Sequence, residues 1–330
     1  MSLHGRWVAV GSALVLAAVA GCGVSGAAVK ARAKRAVSPC GTATQPAWSP
    51  DGKQIAWYGY RWPLPPLHHR PASTTVLRAY CVSDADGKHV RPLRNTVCSE
   101  HCSGDWVDPP GQLDWVKPSL LLYQNDSGIF RISLGQKPQL LSNKTGAPLE
   151  QFSTDAAGDR IAGGSPVCPH CSGPVKILSV PSGALVGTVG GTKPDNTEPS
   201  LSPDGKQVVF ARSPAVDSGQ TPGGIWTAAA EGSHLQRLER TGDQPLWSPA
   251  GNRIAYLAPT GENRWALRLV APQGGRSTTL LRGIVAWTGF GWSPDGRLIA
   301  FSDASQKLAV VDVATGKVRK LLHLHRPYGP

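Results

Sequence analysis

The stretch WSPDGRLIAF, residues 292–301, decides the fold, because close copies stand at three other places: WSPDGKQIAW from Trp48, LSPDGKQVVF from Leu201 and WSPAGNRIAY from Trp247. In S-P-D-G the serine can accept a backbone hydrogen bond at the first turn position, proline presets the second, and aspartate suits the third. Glycine takes the positive φ that ends the turn. The predicted unit is therefore a hairpin built on a type I turn with a glycine bulge. The residues after the turn are almost continuously apolar, as expected of a strand covered on both faces.

Two degenerate copies complete the series. FSTDAAGDRIAG from Phe152 has a longer turn, and WVKPSLLLY from Trp115 has a shorter one without glycine. The anchors are then Trp48, Trp115, Phe152, Leu201, Trp247 and Trp292, and the last three intervals are each about 45 to 50 residues. Each unit has room for two more strands, such as KLAVVDV and KVRKLLHL around the turn ATG in the last. Four short antiparallel strands per repeat are the mark of a propeller blade, and one blade alone cannot cover both of its faces. The sequence predicts an all-β fold, a six-bladed β-propeller of four-stranded antiparallel blades, with the anchors packed between blades. The repeat resembles the PD40, or WD40-like, repeat of the TolB-type six-bladed β-propellers over nearly all of residues 44–325. That resemblance is specific for fold and nearly silent about function, since such propellers occur in envelope scaffolds, in sensors and as lids on peptidases.

The first residues read as an address. Arg6 precedes the apolar run WVAVGSALVLAAVAG, too short for a stable membrane span, and Cys22 follows. VAGC resembles the bacterial lipobox, which implies cleavage before Cys22 and acylation of that cysteine. The expected organisation is a signal peptide at 1–21, a lipidated basic tether at 22–43 and a propeller at 44–330. The formal net charge is +12, and KARAKR at 30–35 places four positive charges beside the expected anchor, where anionic headgroups attract them. An exported chain is not expected to bind nucleic acid.

Besides Cys22, six cysteines remain, an even number that favours disulfides in an oxidising compartment. Proximity pairs Cys98 with Cys102 and Cys168 with Cys171, leaving Cys40 with Cys81 by elimination among fifteen possible pairings. The CPHC tetrapeptide at 168–171 matches the active-site sequence of DsbA-like thiol oxidoreductases. The helix that would stabilise its thiolate is replaced by SGPVKILSV, a turn and a strand, so a loop staple is the expectation. Together CSEHC and CPHC also offer the four soft ligands of a zinc site, which oxidation would remove. No metal and no cofactor are expected.

Long insertions point to a working end. If every inner strand runs the same way, the S-P-D-G turns share one face, and the opposite face carries the long segments 58–73, 94–112, 163–173, 190–198 and 212–224. Candidate binding residues on that face are Arg61, Trp62, His68, His69, Arg70, His101, Trp106 and His170, rich in the aromatic and arginine types that dominate contact hot spots. Three residues before four of the anchors stand Gln45, Gln112, Glu198 and Gln244, expected at the channel mouth either to hold a small ligand or to bond neighbouring blades. No G-x-S-x-G elbow is present. The expected function is a non-catalytic, monomeric, membrane-anchored envelope lipoprotein at the outer face of the cell membrane, recognising an envelope protein or cell-wall ligand. The alternatives are a propeller enzyme with a small site at the channel mouth, or a purely structural subunit.

Overall fold

The computed structural model describes residues 39–61, 77–93, 113–117, 120–125, 128–133, 139–142, 150–164, 173–180, 182, 184–191, 196–213, 223–261, 264–284, 289–303 and 305–321. These residues form six four-stranded antiparallel sheets, each a simple meander in chain order. The first holds β1 (Thr44–Trp48), β2 (Gln54–Arg61), β3 (Leu77–Asp84) and β4 (Arg91–Pro92), and the second β5 (Leu113–Lys117), β6 (Leu120–Asn125), β7 (Gly128–Ser133) and β8 (Gln139–Ser142). The third holds β9 (Glu150–Thr154), β10 (Arg160–Gly164), β11 (Val175–Ser179) and β12 (Leu185–Val189), and the fourth β13 (Asn196–Leu201), β14 (Gln207–Arg212), β15 (Gly224–Ala229) and β16 (Gln236–Glu239). The fifth holds β17 (Asp243–Trp247), β18 (Ile254–Gly261), β19 (Arg264–Val270) and β20 (Thr278–Ile284); the last has β21 (Phe290–Trp292), β22 (Leu298–Ser302), β23 (Leu308–Asp312) and β24 (Val318–Lys320). Among the described residues no helix is long and apolar enough to cross a membrane.

The S-P-D-G turn is built as its residue types require. Gly52, Gly205, Gly251 and Gly296 all lie at φ between 67° and 70°. Ser49 Oγ accepts the Gln54 N–H at 2.9 Å and donates to Asp51 Oδ1 at 2.7 Å, while the Lys53 N–H also donates to that carboxylate. The same three bonds recur around Ser202 and Asp204, and around Ser293 and Asp295. Where alanine replaces the aspartate, at Ala250, Ser248 Oγ bonds Asn252 Oδ1 instead.

Packing explains why the second strands are apolar throughout. Successive residues of a strand point to opposite faces, and here both faces meet another sheet. Ile55 and Trp57 join the cluster shared by the last and first sheets, whereas Ala56 and Tyr58 join the one shared by the first and second. Val208 and Phe210 face the third sheet, and Val209 and Ala211 the fifth. Each anchor seals the seam in front of its own sheet: Trp48, Trp115, Phe152, Leu201, Trp247 and Trp292 each occupy a different cluster, and none is more than 8% exposed.

Residues 40–43, assigned from sequence to the tether, belong instead to the folded body. Cys40 and Ala43 are buried against Leu308, Val310 and Leu321 of the last sheet as well as Trp48 and Trp57 of the first. The Ala43 N–H donates to Gln306 O at 3.0 Å, Lys307 Nζ to Gly41 O at 2.8 Å, and Ser302 Oγ to Ala43 O. Cys40 is joined to Cys81 of β3 by a disulfide, the pairing reached by elimination. The chain start is thus pinned at the seam where the last sheet meets the first. Its small, neutral residues gave no sequence signal for this, because the neighbours that bury them come from the far end of the chain.

Candidate functional site

In every sheet the first strand begins at the end where the second finishes, so the strand order sorts the connections. Segments 62–76, 94–112, 165–172, 192–195 and 214–222 leave from the end where the inner strands begin, and the short S-P-D-G turns lie at the other. At the first end the inner strands share a local distortion. Gln45, Glu198 and Gln244 all sit at φ 50°, each followed by proline, and the ladder register slips there in all three strands. A left-handed conformation costs a non-glycine residue roughly 1–2 kcal/mol; proline, which has no N–H to donate, suits the bulge. The recurring pattern [Q/E]-P-x-[W/L]-S-P is therefore legible as a bulge followed by an anchor.

The three distorted residues come together around one cavity of about 80 Å³. Among the described residues, Pro46, Pro245, Leu113, Leu246 and Phe290 also line it, with Gly289 at the position equivalent to the three polar residues. Gly289 has φ 65°, and a Cβ there would lie 2.9 Å from Gln45 Cα. Gly289→Ala is expected to destabilise the protein by about 1–2 kcal/mol and to crowd the cavity, as read by chemical denaturation.

The Gln244 N–H donates to Glu198 Oε2 at 2.7 Å and to Asp243 Oδ1 at 3.2 Å, tying β13 to β17. The Glu198 carboxyl is held well above its ordinary value of 4.5, first by burial and then by Asp243, which repels its charge and bonds it; the Gln244 amides oppose this. The folded carboxyl therefore keeps its proton more tightly than the unfolded one. Its contribution to stability is full below pH 4.5 and drains away as the pH rises through the elevated value. Glu198→Gln, with the shape of the neutral acid, should match the parent near pH 4.5 and grow progressively more stable than it toward neutral pH, in urea titrations at successive pH values.

Sequence reasoning missed a second set of polar groups, those that lace the inner strands. Thr154 N–H and Oγ1 both donate to Asp114 Oδ2, the Leu201 N–H to Ser153 Oγ, and the Trp247 N–H to Ser200 Oγ. Trp292 Nε1 donates to Leu246 O at 3.3 Å. Burial raises the Asp114 carboxyl above its usual range. The available signal was a polar residue adjoining the anchor, as in LDW, QFS and PSL.

Of the other sequence candidates, Arg61 has only its backbone described, at the end of β2. Gln112, Trp62, His68, His69, Arg70, His101, Trp106, His170, Cys22, Cys98, Cys102, Cys168 and Cys171 lie outside the described residues. Among the described residues no group of three or more His, Cys, Asp or Glu is placed to hold a metal ion.

No protein-family model matches the sequence. A stretch of 107 residues, 31% of the chain, is 32% identical to dipeptidyl-peptidase 5 of Porphyromonas endodontalis, and the match covers only 15% of that protein. Among solved structures, TolB from Acinetobacter baumannii is similar with a TM-score of 0.60 at 16% identity, over 81% of this chain and 63% of that one. A putative TolB from Agrobacterium tumefaciens gives 0.50 at 18% identity over 77% and 86% of the two chains. An oligogalacturonate lyase in complex with manganese gives 0.52 at 13% identity over 86% and 77%. At such identities the likeness is one of fold, and this chain spans less than two thirds of the A. baumannii TolB. The chain is an all-β propeller of four-stranded blades with TolB-like structural neighbours.

Proposed function

We propose that the protein is a six-bladed, non-catalytic recognition propeller, exported and held by a lipid on Cys22 at the outer face of the cell membrane, where it binds an envelope protein or cell-wall ligand as a monomer. The observation that carries this reading is the sharing of one end of the structure by the long connections and the channel cavity, while the other end carries tight, internally bonded turns. A rigid ring that presents loops pays little ordering entropy on binding. A hydrophobic cluster at each seam, including the one between the last sheet and the first, supports a closed ring of six blades. Tethering raises the effective concentration for partners near the membrane, and TolB-like neighbours are in keeping with an envelope location.

The test is photo-crosslinking in the native envelope with the full chain. A crosslinker at Arg61, at the loop-rich end, is expected to capture a defined partner, and one at Thr315, in a tight turn of the other end, is not. Equal capture from both positions refutes the assignment of the working end. Cys22→Ser should move the protein from the membrane to the soluble fraction.

A further inference from the structure

Positive charge gathers on the flank where the last sheet meets the first. Lys317, Arg319 and Lys320, on and beside the outermost strand of the last sheet, are exposed, as are Lys88 and Arg91 at the outermost turn and strand of the first. The two groups adjoin. The turn between β3 and β4 lies so close on the end of β24 that a Cβ at Gly87 would stand 2.4 Å from Leu321 O. Arg319 pairs with Val310 and so shares the face that Val310 turns to the first sheet. Asp86 meets Lys88 at 2.9 Å, Asp303 meets Lys320 at 3.5 Å, and Asp84 bonds His89. Arg91, Lys317 and Arg319 form no ion pair among the described residues. The outermost strands elsewhere differ: β8 and β12 have no charged residue, β16 sets Arg237 against Glu239, and β20 holds Arg282 alone. Two exposed valines stand among the cations of this flank, Val90 at 39% and Val318 at 46%.

The chain also enters the folded body here. Residues 39–41 pack on β3 and β4, and Cys40 is buried with Cys81 and Leu321. Cys81 pairs with Pro92, the neighbour of Arg91, and Leu321 follows Lys320. We infer that this flank docks on the headgroups of an anionic lipid bilayer. The inference rests on reading Cys22 as the lipid anchor, and it adds what the folded body itself does at the membrane. Fully extended, the chain from Cys22 to Cys40 reaches at most about 60 Å, so the flank at its entry stays within that distance of the bilayer. KARAKR at 30–35 continues the same charge along that stretch. Basic residues beside anionic headgroups are attracted one by one, and their contributions accumulate. A soluble polyanion would answer to the cations alone, whereas exposed valines among them suit a boundary with an apolar side.

The experiment adds vesicles to the full chain carrying Cys22→Ser, which has no acyl group on that residue, and reads lysine acylation by mass spectrometry. Vesicles of phosphatidylglycerol mixed equally with phosphatidylcholine are expected to protect Lys88, Lys317 and Lys320. Lys206, in the tight turn of the fourth sheet, should stay as reactive as before, and phosphatidylcholine alone should protect none of them. Arg91→Gln, Lys317→Gln and Arg319→Gln combined should weaken cosedimentation with the anionic vesicles about tenfold or more. The footprint needs no change on the flank, so it stands however that triple variant folds. Protection confined to Lys30 and Lys34 would show that only the tether binds, and overturns the inference. Equal protection by both kinds of vesicle, or protection by dextran sulfate with none by anionic vesicles, overturns it as well. Membrane fractionation of the Cys22→Ser chain at high salt, which screens the flank's charges, judges the anchor, so either reading can fail alone.

Discussion

Replacing Cys40 and Cys81 together by alanine is expected to lower the unfolding free energy by about 4 kcal/mol, the chain-entropy value for a loop closed across a separation of 41 residues. The loss falls on one seam. Cys40 sits in the cluster formed by the first and last sheets, and the bonds from Ala43 N–H to Gln306 O and from Leu321 N–H to Leu308 O lie beside it. Hydrogen exchange should therefore accelerate first at Ala43 and Leu321, ahead of amides in β14 or β18. An unchanged melting temperature, or uniform acceleration around the ring, would show that the disulfide does not secure closure.

Arg212→Ala is expected to cost about 3–5 kcal/mol, because it strips a buried network rather than a surface contact. Arg212 is 7% exposed and donates through Nε to Asn196 Oδ1 at 3.0 Å and through a terminal nitrogen to Gly190 O at 2.8 Å. Its guanidinium lies 4.3 Å from the centroid of the Trp226 ring and 5.5 Å from that of Phe210. Burial lowers its pKa, yet a guanidinium keeps its charge in a protein. Asn196 in turn donates to Gly173 O at 2.7 Å, so the network joins the third and fourth sheets at the base of segments 165–172, 192–195 and 214–222. Truncation leaves Asn196 Oδ1 and Gly190 O without this donor. Arg212→Met, which restores the stem alone, should recover only a minor part of the loss in guanidinium denaturation. A cost under 1 kcal/mol for Arg212→Ala would mean that water replaces the network and that it does not organise the loop-bearing end.

The repeated hairpin was legible because its information is local. A serine that reaches its own turn, a proline that presets φ and a glycine at positive φ act within six residues, and they do so at Ser49, Ser202 and Ser293 alike. The apolar run after the turn carried the further message that both faces are covered. The polar position three residues before the anchor could be marked as a set, since it recurs as Gln45, Glu198 and Gln244, which line one cavity. Its left-handed geometry followed only from seeing the ladder slip. Asp243 and Asp114 were invisible as site residues, because an aspartate on a short strand looks alike whether it faces water or a neighbouring blade.

By itself, the sequence determined the modules: strand, tight turn and strand, with an anchor ahead of each turn, all written in contacts a few residues apart. Only the tertiary structure decided how those modules are joined: that Cys40 and Ala43 belong to the last seam, that Asn196 and Arg212 brace the loop-bearing end, and that Gln45, from the first sheet, shares a cavity with Glu198 and Gln244 from the fourth and fifth. The contacts of Cys40, Ala43 and Gln45 bring together residues separated by more than a hundred positions, those of Asn196 and Arg212 join two neighbouring sheets, and no local preference for strand or turn encodes either.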